Sequence, residues 1–172
     1  MFKVVFVGYM GSGKSVISRK LSNRINVDAV DLDEFIEART KMSITKIFEL
    51  KGHIFFRNYE NKVFKELITS EKELIISTGG GSPCYFNNHK LLNENLVISI
   101  YLKASVNTLM KRLKNNANSR PLLSNLKSDD TEEFIAKHLF ERSFFYNQAK
   151  YIVNVDDKTE DEIVDEIILL LK

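Results

Sequence analysis

The stretch GYMGSGKS, Gly8 to Ser15, combines glycines, a lysine and a hydroxyl side chain at the spacing G-x-x-x-x-G-K-[ST]. The apolar run FKVVFV precedes it and a helical pattern follows it. Glycines let backbone N–H groups converge on an anion, and a helix N-terminus adds a favourable dipole. In such a phosphate-binding loop (P-loop), Lys14 reaches the β- and γ-phosphates of a nucleotide and Ser15 ligates Mg²⁺. The agreement of motif and context disfavours the alternative, a plain glycine turn beside a chance lysine.

Two aspartates, Asp31 and Asp33, stand where a second strand-like run ends, in the segment VDLDEFIE. In an open α/β sheet this edge faces the ligand crevice. One carboxylate can assist Mg²⁺, and the other can accept a proton from a substrate hydroxyl. The alternative is structural, with Asp33 capping the helix that follows. The neighbouring P-loop favours the functional interpretation.

Arg57 and Glu60 lie three residues apart in FFRNYE, within a helical pattern, so their side chains can pair. A surface salt bridge is the usual meaning of such a pair. However, Phe55 and Phe56 indicate that this helix packs against the body of the protein, which would place Arg57 near a cavity. A planar guanidinium with five donors suits a carboxylate ligand there.

The third strand-like run ends in STGGG, whose glycines are Gly79, Gly80 and Gly81. Three successive glycines remove all side-chain bulk, so that the backbone can contact a ligand directly. A mobile turn would need only one or two glycines. We therefore favour a ligand-contacting loop.

Two later arginines can also act on anions. Arg120 lies in the polar segment Asn115–Asp130, where an arginine can move onto a transferring phosphate and neutralise its charge. Arg142 lies late in the next helical pattern. The alternatives are a solvated Arg120 and a structural ion pair for Arg142. The three histidines have no spacing that suggests a metal site or a triad.

These residues sit on alternating strand-like and helical patterns. The predicted strands are Phe2–Val7, Asp28–Asp33, Glu73–Thr78, Leu96–Leu102 and Tyr151–Val155. The predicted helices are Lys14–Ile25, Ser43–Thr69 with a break or kink at Gly52, Ser105–Lys114, and a last helix opened by a Thr159–Glu162 capping box. Alternation of this kind predicts βαβ units, and so an α/β fold with a parallel sheet covered on both faces. The unpatterned segment 115–130 predicts a lid or a disordered link.

Length and composition narrow the class of protein. The chain has 172 residues, which predicts one domain spanning 1–172. Its net charge of +2 argues against a general attraction to nucleic acid or membranes. A single cysteine, Cys84, excludes an internal disulfide and fits a reducing compartment. We see no signal-peptide pattern and no membrane span, so we expect a cytoplasmic protein.

Taken in order, these residues resemble the shikimate kinase family. That family carries a P-loop of the form G-x-M-G-S-G-K-[ST], then D-x-D, an F-R pair, three glycines, R-P-L-L, and a late arginine followed by a tyrosine. The matching segments here are GYMGSGKS, DLD, FR at Phe56–Arg57, GGG at Gly79–Gly81, RPLL at Arg120–Leu123, and Arg142 with Tyr146. The match runs from Phe2 to about Val155, and the motifs together are far more specific than the P-loop alone.

The resemblance implies a nucleoside-monophosphate-kinase-like fold. This is a P-loop three-layer sandwich with a five-stranded parallel sheet, a substrate-binding helical region at about 33–69 and a lid at about 115–130. It implies transfer of the ATP γ-phosphate to the 3-hydroxyl of shikimate, on the pathway to chorismate and aromatic amino acids. The implied cofactors are ATP and Mg²⁺, and the implied partner is shikimate. We expect a monomer with no nucleic-acid or membrane partner.

Family roles carry over at each matching position. Ser15 would hold Mg²⁺ directly and Asp31 through water, while Asp33 would hold the acceptor and take its proton. Lys14 and Arg120 would act on the transferring phosphate. The full nucleotide-binding set is Gly11, Ser12, Gly13, Lys14, Ser15, Val16, Arg112 and Arg120, with Arg112 near the adenine. The substrate-binding set is Asp33, Arg57, Gly79, Gly80, Gly81 and Arg142, with the two arginines on the shikimate carboxylate.

Two positions depart from the family pattern. His53 stands where the family commonly has a glutamate, and Val16 follows Ser15 where a hydroxyl residue is common. The nearest rival function is another small-molecule kinase of this fold, such as a gluconate kinase. A GTPase switch is disfavoured because the only NK pair, Asn61–Lys62, lacks the aspartate of the guanine motif N-K-x-D.

Overall fold

The computed structural model describes residues 1–115 and 128–172. In chain order its strands and helices are β1 (Lys3–Val7), α1 (Lys14–Ile25), β2 (Ala29–Asp31), α2 (Leu32–Thr40), α3 (Ile44–Thr69), β3 (Leu74–Ser77), α4 (Asn88–Leu91), β4 (Val97–Lys103), α5 (Val106–Asn115), α6 (Ser128–Tyr146), β5 (Tyr151–Asn154) and α7 (Glu160–Leu170). A short 3₁₀ turn, Ser82–Cys84, follows β3. Strands and helices alternate as predicted, and α2 and α4 are helices beyond the predicted ones.

The five strands form one sheet in the order β2-β3-β1-β4-β5, and every pairing is parallel. All five residues of β1 and all four of β3 are buried, as expected for strands covered on both faces. This confirms the predicted five-stranded parallel sheet. Because β2, β3 and β1 are neighbours, the loops at their carboxyl ends meet at one edge. Those loops carry Asp31, the three glycines and the P-loop.

The helices position the loops from both sides of the sheet. α1 begins at Lys14, so the P-loop runs directly into a helix N-terminus. α7 packs beside α1 and opens with the predicted capping box between Thr159 and Glu162. Within the described ranges, no helix is both long enough and apolar enough to cross a membrane.

The second strand is shorter than predicted. It ends at Asp31, and Leu32 begins α2, so Asp33 lies in the first turn of a helix and not at a strand end. Asp31 is also the capping residue, because its Oδ1 accepts the backbone N–H groups of Asp33 (3.1 Å) and Glu34 (3.3 Å). The expectations of a strand reaching Asp33 and of capping by Asp33 are therefore wrong. Because the Asp31 carboxylate accepts the free backbone N–H groups of the first helical turn, α2 begins directly after Asp31 and the strand ends there.

The long helix α3 is kinked at Gly52, as predicted. Gly52 has φ 80°, a left-handed backbone conformation that interrupts the helix. Beyond the kink, α3 buries one stripe of side chains against the core: Phe56, Glu60, Val63, Phe64 and Leu67. This packing turns Arg57 towards the sheet edge that carries the loops.

Candidate active site

The P-loop has the backbone that a phosphate cradle requires. Gly8, Gly11 and Gly13 have φ of 146°, 85° and 100°, which other residues rarely adopt. Ser12 is buried, and its Oγ has no hydrogen-bond partner among the described residues. The loop ends at the N-terminus of α1, where the helix dipole favours an anion. These features fit the triphosphate of a nucleotide.

Lys14 lies over this loop. Its side chain is 8% exposed, and its Nζ donates to the backbone carbonyls of Gly8 (2.8 Å) and Tyr9 (3.0 Å). A lysine held at this point can contact phosphate oxygens that enter the cradle.

Ser15 and Asp31, the predicted magnesium pair, are in contact. The Ser15 hydroxyl donates to Asp31 Oδ2 over 2.7 Å, and the Ser77 hydroxyl lies 3.5 Å from Ser15 Oγ. Hydroxyl and carboxylate oxygens are the ligands that Mg²⁺ prefers. The described residues contain no cluster of three or more His, Cys, Asp or Glu that could hold a metal by themselves. A Mg²⁺ ion that also takes oxygens from phosphates and water needs only one or two protein ligands.

The sequence alone indicates no role for Ser77 at the site. Ser77 is the last residue of β3, and the sheet register pairs it with Asp31 of β2. Its position next to the magnesium pair follows from that register. A parallel register between two strands is not visible from either strand alone.

Asp33 lies beside the triple glycine. A Cβ built on Gly79 would lie 3.1 Å from Asp33 Oδ1 and 3.2 Å from Oδ2, so any other residue there would push this carboxylate from its present position. Burial raises the pKa of Asp33, and the nearby Asp31 carboxylate raises it further, while the charges of Lys14 and Arg57 oppose the shift. A carboxylate with a raised pKa is better suited to accept a proton than an ordinary surface aspartate.

Arg57 is held by a buried partner. Its Nη1 lies 2.7 Å from Oε2 of Glu60, whose side chain is fully buried. The guanidinium also lies over the rings of Tyr85 (4.3 Å) and Phe56 (5.0 Å). Its Nε is buried and has no hydrogen-bond partner among the described residues. The Arg57–Glu60 pair is thus largely buried, and it fixes the orientation of the guanidinium. The alternative of a surface salt bridge is wrong.

Arg142 approaches from the other side, from α6. Its Nη1 would lie 3.6 Å from a Cβ built on Gly80, and its guanidinium lies over the ring of Tyr9. Tyr146, one turn later on α6, donates its hydroxyl to the carbonyl of Gly80. α6 therefore contacts the same glycine loop that Arg57 and Asp33 contact.

The three glycines each admit one charged side chain. Gly79 faces Asp33, Gly80 faces Arg142, and Gly81 faces Arg57, where a Cβ would lie 2.7 Å from Nη2. None of the three has a positive φ, so an unusual backbone conformation does not explain them. A Cβ would be tight against Asp33 at Gly79 and against Arg57 at Gly81, and at Gly80 it would be tight against the backbone nitrogen of Met10 (3.3 Å). The structure thus brings together one carboxylate and two guanidinium groups that are far apart in sequence.

Arg112 borders the P-loop from α5. Its Nη1 donates to the carbonyls of Ser12 (3.1 Å) and Gly11 (3.3 Å), and its Nη2 donates to Val155 (3.4 Å). These contacts place Arg112 beside the loop, and its contact to the base stays a prediction. Val16, in the first turn of α1, is 44% exposed.

Some predicted features contribute little or lie elsewhere. Arg120 and most of the predicted lid lie outside the described residues. His53 stacks on Phe48 with ring centroids 4.1 Å apart, so it packs where the family commonly has a glutamate. Burial raises the pKa of the Cys84 thiol to about 11, which keeps it protonated and weakly nucleophilic at neutral pH.

The chain is similar in sequence and fold to known proteins over nearly its whole length. A family model described as "Shikimate kinase" matches residues 10–172. A shikimate kinase from Flavobacterium psychrophilum is 50% identical over 167 residues, covering 97% of each chain. The crystal structure of a shikimate kinase from Bacteroides thetaiotaomicron superposes with a TM-score of 0.91 at 31% identity, over 99% of this chain and 98% of that one.

A second solved structure is informative because of its ligand. Shikimate kinase from Acinetobacter baumannii, in complex with shikimate, has a TM-score of 0.86 at 29% identity and covers 99% of this chain and 93% of its own. Because the family model spans nearly the whole sequence and a full-length relative shares half of its residues, the chain belongs to the shikimate kinase family.

Proposed function

We propose that the protein transfers the γ-phosphate of ATP to the 3-hydroxyl of shikimate, which yields shikimate 3-phosphate and ADP. The observation that carries this proposal is the set of contacts at the triple glycine. Asp33, Arg142 and Arg57 lie against Gly79, Gly80 and Gly81, at the sheet edge that also carries the P-loop. The shikimate-bound relative supports the same choice of acceptor.

The two arginines suit an acceptor that is itself an anion. Shikimate carries a carboxylate at neutral pH, and it must bind beside a negatively charged triphosphate. Arg57 and Arg142 reach the glycine loop from α3 and α6, so they can hold the carboxylate from two sides. A neutral polyol would offer neither guanidinium a carboxylate to bind.

Asp33 is placed to orient the acceptor hydroxyl and take its proton. It lies against Gly79, and Lys14 and Arg57 are close enough to affect its pKa. Acceptor and phosphate donor therefore meet around this carboxylate. Proximity and alignment supply much of the catalysis in phosphoryl transfer, and proton removal adds to it.

On the nucleotide side, Gly11, Ser12, Gly13 and Lys14 would hold the phosphates of ATP. Arg112 would border the base, and Val16, at the first turn of α1, would contribute only its backbone. The family resemblance assigns Arg120 to the transferring phosphate, where it would neutralise developing charge. The resemblance likewise supports a place on the route to aromatic amino acids.

Magnesium fits the oxygen set of Ser15 and Asp31. When bound, Mg²⁺ would neutralise charge on the phosphates. Ser15 would ligate it directly and Asp31 would hold it through water. Asp31 also caps α2, which fixes the position of its carboxylate.

Asp31→Asn should raise the Mg²⁺ concentration needed for half-maximal activity by about tenfold, since one charge-assisted contact is lost. Asparagine keeps an oxygen that can cap α2, so the fold should persist. The measurement is a Mg²⁺ titration of initial rates at saturating ATP and shikimate. An unchanged Mg²⁺ dependence would remove Asp31 from the metal site.

ADP release across a panel of acceptors tests the function itself. We expect turnover with shikimate and only background release with gluconate, neutral polyols and nucleosides, because only shikimate presents both a carboxylate and a ring hydroxyl at the right separation. The product should carry phosphate at the 3-position, which ³¹P and proton NMR can assign. Turnover of gluconate at a rate matching that of shikimate would favour the rival sugar-acid kinase.

A further inference from the structure

Tyr9, inside the P-loop, contacts side chains of the acceptor side. It follows Gly8 and is 1% exposed. Its hydroxyl lies 3.3 Å from Nδ1 of His138, on α6. Its backbone carbonyl accepts a hydrogen bond from Lys14. One loop residue thus touches the phosphate-binding lysine through its backbone and helix α6 through its side chain.

The side chain of Arg142 packs over the aromatic ring of Tyr9. The guanidinium carbon of Arg142 lies 5.6 Å from the ring centroid, within the range of a cation–π contact. The described part of the chain offers Arg142 no ion pair, in contrast to Arg57 with its buried Glu60. The nearby Tyr146 hydroxyl donates its proton to Gly80, so it can offer Arg142 only an oxygen lone pair.

Neutral contacts matter for an arginine that must bind an anion. A carboxylate partner would occupy N–H groups and offset the positive charge, whereas an aromatic face fixes the guanidinium and leaves its N–H edge available. Burial and the charge of Arg142 lower the pKa of His138, which favours the neutral form of this neighbour.

We propose that Tyr9 is the positioning residue for Arg142, with its ring orienting the guanidinium and its hydroxyl joined to His138 on the same helix. This inference rests on the proposed role of Arg142 as a ligand of the acceptor carboxylate. It makes the P-loop part of the acceptor site, because the residue that orients Arg142 belongs to the loop that holds phosphate.

A double-mutant cycle tests the proposal. Tyr9→Leu should weaken shikimate binding about three- to tenfold, the usual range for a partly desolvated cation–π contact. ATP affinity and kcat at saturating shikimate should change by less than about twofold, since the backbone of the loop is retained. In an Arg142→Ala background, the same Tyr9→Leu change should cause no further loss.

The outcomes separate this inference from the proposed function. If Arg142→Ala leaves shikimate affinity unchanged, the carboxylate role of Arg142 fails, and the inference fails with it. If Arg142→Ala weakens binding but Tyr9→Leu has no effect, or has the same effect in both backgrounds, Tyr9 does not act through Arg142.

A second series covers the case in which Tyr9→Leu does not fold. Tyr9→Phe keeps the ring and should bind shikimate within about twofold of the parent. Replacing Tyr9 with phenylalanines that carry one, two and three fluorine atoms preserves the ring's size and progressively weakens its negative face. Shikimate affinity should fall stepwise with each fluorine. A flat response would overturn the proposal.

Discussion

Asp33→Asn should lower kcat by about a hundred- to ten-thousandfold and leave ATP affinity within about twofold of the parent value. Asparagine has nearly the same size and can still accept a hydrogen bond, but it cannot take the proton of the acceptor hydroxyl. The carboxylate lies against Gly79, on the acceptor side of the site, so nucleotide binding should persist. Steady-state kinetics and ATP calorimetry measure the two effects separately.

Glu34→Gln is the matched control for this change. Glu34 stands next to Asp33 in the same helical turn, but it is exposed and pairs with Arg19 at the surface. Its loss should cost little activity, since exposed ion pairs contribute about 0–1 kcal/mol. Turnover near the parent rate in Asp33→Asn would show that proton removal by this carboxylate is not needed.

The pH profile provides a second readout on Asp33. The base must be ionised, and burial raises its pKa above 3.8. Activity should therefore fall as the pH drops through this raised pKa, and the decline should begin at a higher pH than for an ordinary aspartate. The residual activity of Asp33→Asn should lack this acid limb.

Arg57→Ala should weaken shikimate binding about ten- to a hundredfold, because a charge-assisted contact in a partly desolvated site is lost. It should also lower the free energy of unfolding by about 3–5 kcal/mol, since it leaves the carboxylate of Glu60 buried without its partner. Arg142→Ala should cause a similar loss of affinity with little loss of stability. Shikimate calorimetry and denaturant unfolding measure the two quantities.

The stability loss in Arg57→Ala should depend on pH. Burial raises the pKa of Glu60 above 4.5, and Arg57 opposes that shift. Without Arg57 the pKa should rise further, so the folded state gains stability as the pH falls and Glu60 takes up a proton. The deficit should be largest at neutral and alkaline pH.

Two companion variants make this test specific. Arg57→Ala with Glu60→Gln should recover most of the lost stability but none of the affinity, because the buried charge is gone and the guanidinium is still missing. Arg57→Lys should recover affinity only in part, since an ammonium cannot make a two-pronged contact. Parent-like shikimate binding in both Arg57→Ala and Arg142→Ala would disprove the clamp and weaken the case for shikimate.

Local patterns were sufficient to predict the sheet, the P-loop and the kink at Gly52, because each depends on neighbouring residues. The predicted end of β2 was wrong because either Asp31 or Asp33 could cap the following helix. Only the hydrogen bonds of Asp31 to Ser15 and to the first turn of α2 identify it as the capping residue. The roles of Tyr9 and Ser77 depend on contacts between segments that are distant in sequence. Periodicity within one segment carries no information about such contacts.

The close fit at the triple glycine also limits how this protein can vary. Every other amino acid has a Cβ, so any replacement at Gly79 or Gly81 would press on Asp33 or Arg57 before it disturbed the core. A replacement at Gly79 would displace the carboxylate of Asp33 and lower activity, whereas a replacement at Gly81 would also disturb the buried Arg57–Glu60 pair and lower stability. An inhibitor that contacts the backbone of this loop would leave the enzyme few escape mutations there, because a change that excludes the inhibitor also displaces a group needed for the reaction.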